Sequence, residues 1–219
     1  MQSPSDFLGT LRRSIGHRSD TIVFFEVPNV LFTLRELGIW DLIYEHPSYF
    51  GPSSLSRLFT SCGFDVCDLL ETYEGQFLCI EARSGAGEVR LASDPGDDLE
   101  EVKADAAEFA DKYQAKVRTW ERHLERMTQA GRRPVIWGAG SKGVTFLNTL
   151  KTQDQIRYAV DINPSKHDMY VAGTGQRIVS PGFLRDYQPD VIIVMNPIYE
   201  SEIRQFTQRI GLTPEFMCV

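Results

Sequence analysis

A chain of 219 residues, 42% of them hydrophobic, has room for one large or two small globular domains with real cores. Its net charge of -7 at pH 7 argues against a nucleic-acid or acidic-membrane partner, because binding phosphates requires a basic face. No segment reaches the roughly 18 apolar residues of a membrane span, and the N-terminal region lacks the apolar core of a signal peptide. We therefore expect a soluble, cytoplasmic protein.

The four cysteines point to the same compartment. They form no C-x-x-C pair and no histidine stands at ligand spacing, so we expect free thiols in a reducing environment and no metal site. These residues are Cys62, Cys67, Cys79 and Cys218.

The first 85 residues show a regular order of helical and strand patterns. Helical spacing covers 4–16, 30–37 and 53–62, and strand patterns cover 64–72 and 77–83 around a turn that contains Gly75. The run TIVFFEV at 21–27 is almost unbroken in its apolar character, which is typical of a strand covered on both faces in a parallel sheet. A sheet that finishes in an antiparallel hairpin is how class I methyltransferase folds end.

A polar and aromatic loop lies between the second and third predicted helices. It carries Tyr44, Glu45 and His46. An imidazole that titrates near neutral pH, beside a carboxylate able to orient it, suits general-base catalysis. A surface loop anchored by its aromatic residues is the alternative interpretation. Glu26, at the end of the preceding strand, is a ligand contact, a cap for the next helix or a solvated strand end.

A glycine- and serine-rich connector at 84–96 precedes an amphipathic helix predicted over 97–132. The charged positions of this helix are most simply its solvated faces. A dimer interface along its apolar stripe is an alternative that the sequence leaves open.

The stretch from Pro134 to Asp161 predicts a strand, a glycine-rich turn, a helix and a second strand. Gly138, Gly140 and Gly143 have the G-x-G-x-x-G spacing, which permits a tight turn, a close approach of backbone to phosphate, and close helix packing. A plain βαβ unit, whose glycines serve only turn and packing, is the alternative.

The same turn predicts an anion site at the start of the helix. Backbone N–H groups and the positive helix end favour a phosphate, with Ser141 at the turn and a further charge from Lys142. Asp161 would accept hydrogen bonds from ribose hydroxyls. Asn196 ends a buried strand predicted at 190–196 and belongs to the same ligand side of a parallel sheet.

Two groups of motifs resemble one known family. The loop IYEHPSYFGPSSL, with FFEVPNV before it and EGQFLCIEA after it, resembles the latter part of SAM-dependent sugar C-methyltransferases that act on nucleotide-linked deoxysugars. The stretch VIWGAGSKG…VDINPSKHDMYVAGTGQRIVSP looks like the C-terminal domain of that family. The resemblance implies the second half of a class I methyltransferase domain at 1–90, a linker and long helix at 91–132, and a Rossmann-like domain at 133–219.

By this resemblance, Glu45 and His46 match the Glu-His pair of the family. The histidine would remove the proton next to a keto group, and the resulting carbanion would take a methyl group from SAM. Tyr44 departs from the pattern, because the family usually has one residue between the tyrosine and the Glu-His pair, whereas here they are contiguous. The Rossmann-like domain would help to hold the nucleotide-linked sugar.

The family also begins with a small zinc domain and an E-x-G-x-G-x-G loop for SAM, and this sequence contains neither. We therefore expect a fragment, a truncated reading frame or a descendant that has lost transfer activity, which does not methylate by itself. It would work as a homodimer or with a chain that supplies the SAM-binding half. The two other hypotheses are a non-catalytic module that binds nucleotides or nucleotide sugars, and an NAD-dependent oxidoreductase.

Overall fold

The computed structural model describes residues 3–18, 20–86, 88, 99–152 and 154–219. The chain forms two compact units, Met1–Tyr113 and Gln114–Val219. The first unit contains α1 (Pro4–Ile15), β1 (Ile22–Pro28), α2 (Val30–Arg35), α3 (Pro52–Ser61), β2 (Phe64–Thr72) and β3 (Phe77–Ser84). Helix α4 (Leu99–Gln129) begins in the first unit and ends in the second. The second unit contains β4 (Pro134–Trp137), α5 (Ser141–Leu150), β5 (Tyr158–Val160), β6 (Arg177–Val179), α6 (Leu184–Tyr187), β7 (Val191–Val194), α7 (Glu200–Arg209) and β8 (Glu215–Cys218).

The first unit is built on a three-stranded antiparallel sheet in the order β1-β3-β2. The predicted hairpin of β2 and β3 is confirmed, with Thr72 opposite Phe77 at its closed end. Its turn has positive φ at three successive positions, 73 to 75, of which the third is the predicted glycine. Because β3 lies between β1 and β2, this sheet has the antiparallel ending that the sequence predicted.

One face of this sheet carries the core of the first unit. Leu8 of α1 and Leu55 and Phe59 of α3 pack with residues of all three strands. The rings of Phe25 and Phe59 meet edge to face, with their centroids 5.6 Å apart. The apolar stripes of the two amphipathic helices therefore cover this face.

The prediction that β1 is covered on both faces in a parallel sheet is wrong for the residues that the structure describes. The strand pairs antiparallel with β3, and its exposure alternates. Val23 is buried, whereas Ile22 and Phe24 are 54% and 57% exposed. A run of apolar residues gives the tendency to form a strand, but it does not reveal which neighbours cover each face.

The second unit has a five-stranded parallel sheet in the order β6-β5-β4-β7-β8. This is a Rossmann-like arrangement, in which the order of strands reverses between β4 and β7. All four residues of β7 are buried, as expected for a central strand of a parallel sheet. The α/β fold class predicted for this part of the sequence is confirmed.

The predicted connector at 84–96 lies largely outside the described residues. The predicted long helix is confirmed as α4, whose buried residues are Val117, Trp120, Leu124 and Met127. Near its start, Glu101 and Asp105 accept hydrogen bonds from Arg35, at 2.8 and 2.6 Å. Among the described residues, no helix is both long enough and apolar enough to cross a membrane.

Candidate functional site

The first unit contains a cavity of about 230 Å³ beside the carboxyl half of β1. Its walls come from α1, β1, α3 and the loop before α3, and most of them are apolar or aromatic. Glu45 and His46 are ionisable residues on its border, and Glu26 lies beside it on β1. The carboxylate of Glu26 accepts a hydrogen bond from Sγ of its cross-strand partner Cys79 at 3.8 Å, on the face opposite the buried core. The structure thus brings the Glu-His pair that the sequence singled out to this cavity.

His46 is the best candidate for proton transfer in this cavity. Its backbone N–H donates to the carbonyl oxygen of Ile43 at 3.1 Å, which fixes the turn of the loop. Its imidazole lies edge to face with the ring of Tyr49, at 6.4 Å between centroids. The Nδ1 atom is buried and has no hydrogen-bond partner among the described residues. A buried nitrogen without a partner is costly, so this atom suits a site that a ligand completes.

The two tyrosines of the loop have different surroundings. Tyr44 is 99% exposed and is not among the residues that line the cavity. Tyr49 contacts His46, and its hydroxyl donates to the carbonyl oxygen of Asp41 at 3.4 Å. Burial raises the pKa of Tyr49, so its phenol stays protonated at neutral pH. The sequence drew attention to Tyr44 because it adjoins Glu45, and only the fold shows which ring lies against His46.

The glycine-rich turn of the second unit lies at the carboxyl end of β4. Gly138 has φ +115°, and the N–H of this residue donates to the carbonyl oxygen of Val160 at 2.8 Å. A Cβ atom on Gly143 would collide with the carbonyl oxygen of Gly138. Gly140 precedes α5, and a Cβ atom there would meet nothing within 4 Å. The first and third glycines therefore serve the turn and the packing, while the second leaves open space at the start of α5.

Asp161 follows β5 and holds the glycine-rich turn in place. Its Oδ2 accepts from the backbone N–H of Ala139 at 3.1 Å and from Nζ of Lys166 at 2.9 Å. Its Oδ1 accepts from the N–H of Asn163 at 2.9 Å. Burial opposes ionisation, but these donors outweigh it and lower the pKa of Asp161.

The contacts of Asp161 affect how this residue could bind a ribose. Only 10% of the Asp161 side chain is exposed, and its carboxylate has three protein donors. A ribose contact would have to share those oxygen atoms. The role of Asp161 toward ribose stays a prediction, and the structure gives this residue a definite role in shaping the turn.

Two lysine side chains bring positive charge near the start of α5. Lys142 is the second residue of the helix, next to Ser141. Lys116 of α4 has a lowered pKa, because of its burial first and then because of the positive charge of Lys142. Two neighbouring ammonium groups at a helix N-terminus favour an anion. Sequence reasoning did not find Lys116, because this residue and Lys142 lie on different helices.

Asn196 follows β7 at the same edge of the sheet. Its side-chain oxygen accepts from the N–H of Ile198 at 3.3 Å. Since β7 is the neighbour of β4, the turn at Gly138 and Asn196 border the point where the strand order reverses. The structure therefore places Asn196, the glycine-rich turn and Asp161 at the carboxyl ends of three adjacent strands.

The described residues offer little to a metal ion. No group of three or more histidine, cysteine, aspartate or glutamate side chains among them has a geometry that could hold one. Cys62, Cys67, Cys79 and Cys218 are free thiols. Burial and then the hydrogen bond to Glu200 raise the pKa of Cys218 to about 11, which makes this thiol a poor nucleophile at neutral pH.

Comparison with known proteins identifies the family. The sequence model of the C-methyltransferase C-terminal domain matches residues 96–213, more than half of the chain, and the chain belongs to this family. It is also 30% identical over 195 residues to C-methyltransferase NovU of Streptomyces niveus. That match covers 84% of this chain but 46% of the relative, so the chain spans less than half of its length. The resemblance inferred from the motifs is confirmed at the level of this family.

Solved structures show only a distant likeness. RSP, a Rex-family repressor, matches with a TM-score of 0.32 and 13% identity, over 55% of this chain and 69% of the repressor chain. Its complex with beta-NAD+ and operator DNA matches with the same TM-score and 16% identity, over 40% of this chain and 49% of that one. Likeness at this level says nothing about what the present chain binds.

Proposed function

We propose that this chain supplies the catalytic base and the sugar-binding cavity of a SAM-dependent C-methyltransferase that acts on a nucleotide-linked keto-deoxysugar. The observation that carries the proposal is the cavity of about 230 Å³ into which the loop brings Glu45 and His46, with the buried Nδ1 of His46 lacking a partner among the described residues. Membership of the C-methyltransferase family supports the reaction class.

The step assigned to this chain is a proton transfer. His46 removes a proton from the carbon next to the keto group of the sugar. The C–H bond breaks, the proton passes to the imidazole, and the electron pair is delocalised onto the carbonyl oxygen as an enolate. Glu45 stabilises the imidazolium that forms, and the apolar walls, such as Phe25 and Phe59, exclude water from the carbanion.

The glycine-rich turn of the second unit is the proposed site of a diphosphate group. The open space at Gly140 lets the first N–H groups of α5 approach phosphate oxygens. Lys142 and Lys116 add positive charge near this helix end. Asn196 adds a carboxamide at the neighbouring strand end.

The described residues of the first unit do not fit SAM. A SAM site in this kind of fold needs a glycine-rich turn between a strand and a helix, as the family motif shows. Here β1 ends at Pro28, and the next residue, Asn29, caps α2 by accepting with its side chain from the N–H of Leu31. The chain should therefore not transfer a methyl group alone, and the methyl donor would be held by other polypeptide.

Proton exchange tests the proposal without SAM. The chain is incubated in D₂O with a thymidine-diphosphate-linked 4-keto-6-deoxysugar, and deuterium incorporation next to the keto group is followed by NMR. We expect exchange that His46→Gln slows by about 10²–10⁴-fold, the usual contribution of a general base. His17→Gln is the matched control, because His17 is an exposed histidine of the same unit that does not line the cavity. Equal exchange by the wild type and His46→Gln would refute the assignment.

A binding module without chemistry is the second candidate, and the cationic start of α5 favours it. It predicts that thymidine diphosphate stabilises the chain while no form of the protein exchanges deuterium. At about 100 times its Kd, a ligand adds roughly 2.7 kcal/mol. This would raise the Tm by about 2–4 °C. Such a shift without exchange would replace the catalytic proposal by this one.

A further inference from the structure

The imidazole of His46 is not oriented by a hydrogen bond at Nδ1, because this buried atom has no partner among the described residues. The loop around it is held by bonds between main-chain atoms. The N–H of Ile43 donates to the carbonyl oxygen of Asp41 at 3.0 Å, and the N–H of His46 donates to that of Ile43 at 3.1 Å. These bonds fix the backbone of the turn, but they do not fix the side-chain torsions of His46.

Tyr49 contacts both the imidazole and the start of this turn. The two rings lie edge to face at 77°, with centroids 6.4 Å apart, within the range of such aromatic pairs. The hydroxyl donates to the carbonyl oxygen of Asp41 at 3.4 Å, the same atom that accepts from Ile43. Burial raises the pKa of Tyr49, and contact with the backbone of Ile43 opposes this shift. One side chain thus joins the first residue of the turn to the ring of the last.

The chain directly after Tyr49 is anchored to the body of the first unit. The carbonyl oxygen of Phe50 accepts from the N–H of Val30 at 2.9 Å, and Phe50 forms a parallel bridge with Asn29. The ring of Phe50 packs against the core, and α3 begins two residues later. Tyr49 therefore precedes a fixed point of the chain, and its ring gives the imidazole a support that the loop itself lacks.

We propose that Tyr49 is a positioning residue, which holds the imidazole of His46 in the orientation needed for proton removal. The tyrosine ring limits the rotation of the imidazole, and the hydroxyl holds that ring against the turn. Tyr49 does not line the cavity, so it acts through His46 and not by contact with the sugar. This inference rests on the catalytic role proposed for His46 and deepens it, since misplacing a catalytic group by about 1 Å can cost on the order of 10²-fold in rate.

The deuterium exchange reaction tests the proposal through kcat and KM. Tyr49→Leu removes the ring, so kcat should fall by about 10-fold, while KM stays within about 2-fold because the cavity walls are unchanged. Tyr49→Phe keeps the ring and loses only its bond to Asp41, so kcat should fall by about 3-fold. Tyr113→Leu is the matched control. It removes a tyrosine from another ring pair of the first unit, with Phe109 at 6.0 Å, and should keep kcat within about 2-fold.

NMR relaxation of the His46 ring, in protein labelled with ¹³C-histidine, tests the same proposal without any substrate. The ring should be rigid in the wild type and in Tyr113→Leu, with an order parameter of about 0.85. In Tyr49→Leu it should fall below about 0.6, and Tyr49→Phe should lie between these values. Circular dichroism identifies any variant that does not fold, and if Tyr49→Leu is one, Tyr49→Phe decides.

Two results would overturn the proposal. One is an unchanged order parameter and an unchanged kcat in the folded Tyr49 variants. The other is a Tyr49→Phe or Tyr49→Leu variant that raises KM and leaves kcat unchanged, since that would place Tyr49 in sugar binding. A wild type that shows no exchange would refute the role of His46 instead, and the ring relaxation would still decide whether Tyr49 orders the imidazole.

Discussion

The two sheets of this protein differ in how completely they bury their apolar residues. In the second unit, all four residues of β7 are buried within a parallel sheet. In the first unit, the alternate residues Ile22 and Phe24 of β1 stay more than half exposed on an antiparallel sheet. The difference shows that similar apolar runs lead to different burial, depending on whether elements cover both faces. The second unit buries its central strand on both faces, and the first leaves one face of β1 partly exposed.

The largest expected effect comes from removing a phenyl ring in the second unit. Phe146 is fully buried and meets Trp120 edge to face at 5.2 Å between centroids. Phe146→Ala should lower the free energy of unfolding by about 3–5 kcal/mol, through lost burial and the cavity left behind. Phe24→Ala, the matched change at a side chain that is 57% exposed, should stay within about 0.5 kcal/mol. Urea unfolding followed by circular dichroism measures both losses in the free energy of unfolding. Equal losses would contradict the difference in burial between the two sheets.

Alanine substitutions of Gly143 and Gly140 test which glycine of the second unit is needed for packing. Gly143→Ala places a Cβ atom against the backbone oxygen of Gly138, so strand and helix must separate. We expect a loss of about 2–3 kcal/mol, as for overpacked cores. Gly140→Ala meets nothing within 4 Å and has φ -87°, so it should cost less than about 1 kcal/mol. Thermal unfolding of the two variants side by side checks this order, and the reverse order would contradict the packing role of Gly143.

Removing the charge of Asp161 should lower stability by a smaller amount, and that amount should depend on pH. The folded-state pKa of this carboxyl is lowered from its ordinary value of 3.8, so its charged form stabilises the fold above that value. The stabilisation is lost as the pH falls through the lowered pKa. Asp161→Asn should therefore cost about 1–2 kcal/mol at pH 7. The difference from wild type should shrink below about pH 4.

Urea titrations at pH 7 and at pH 3 measure this dependence. Asp154→Asn is the control, since Asp154 is an exposed aspartate of the same unit. A cost for Asp161→Asn that is the same at both pH values would show that the charge of Asp161 is not what holds the turn.

The smallest expected effect concerns Arg35 of the first unit. Its guanidinium contacts Glu101 and Asp105, and its side chain is 43% exposed. Exposed ion pairs contribute little, so Arg35→Met should cost less than about 1 kcal/mol. The cost should decrease further in 1 M salt, where charges are screened. A loss comparable to that of Phe146→Ala would mean that surface charges, and not the buried face, hold the first unit together.

The local patterns predicted most of the elements. The turn at Gly75 predicted the hairpin, and the glycine spacing from 138 to 143 predicted the strand-turn-helix unit. The apolar stripe of α4 predicted the long helix. These features succeed because turn chemistry and side-chain periodicity act within a few residues of sequence. The same reasoning predicted that Glu45 and His46 form one candidate site, and the structure places both at one cavity.

Other features depended on residues that are distant in sequence. The closeness of Lys116 to Lys142 and the hydrogen bond from the N–H of Ala139 to Asp161 each join separate elements. The exposure of Phe24 likewise follows from what does and does not cover β1.

The sequence by itself determined the types and order of the elements, the glycine-rich turn, the Glu-His pair and the membership of the C-methyltransferase family. The tertiary structure alone decided that β1 is antiparallel with a partly exposed face, that Tyr44 is exposed and does not line the cavity, and that Asp161 supports the turn. The physical reason is that secondary structure follows from local propensity and periodicity, whereas burial, ion pairing and pKa follow from which distant groups the fold brings together.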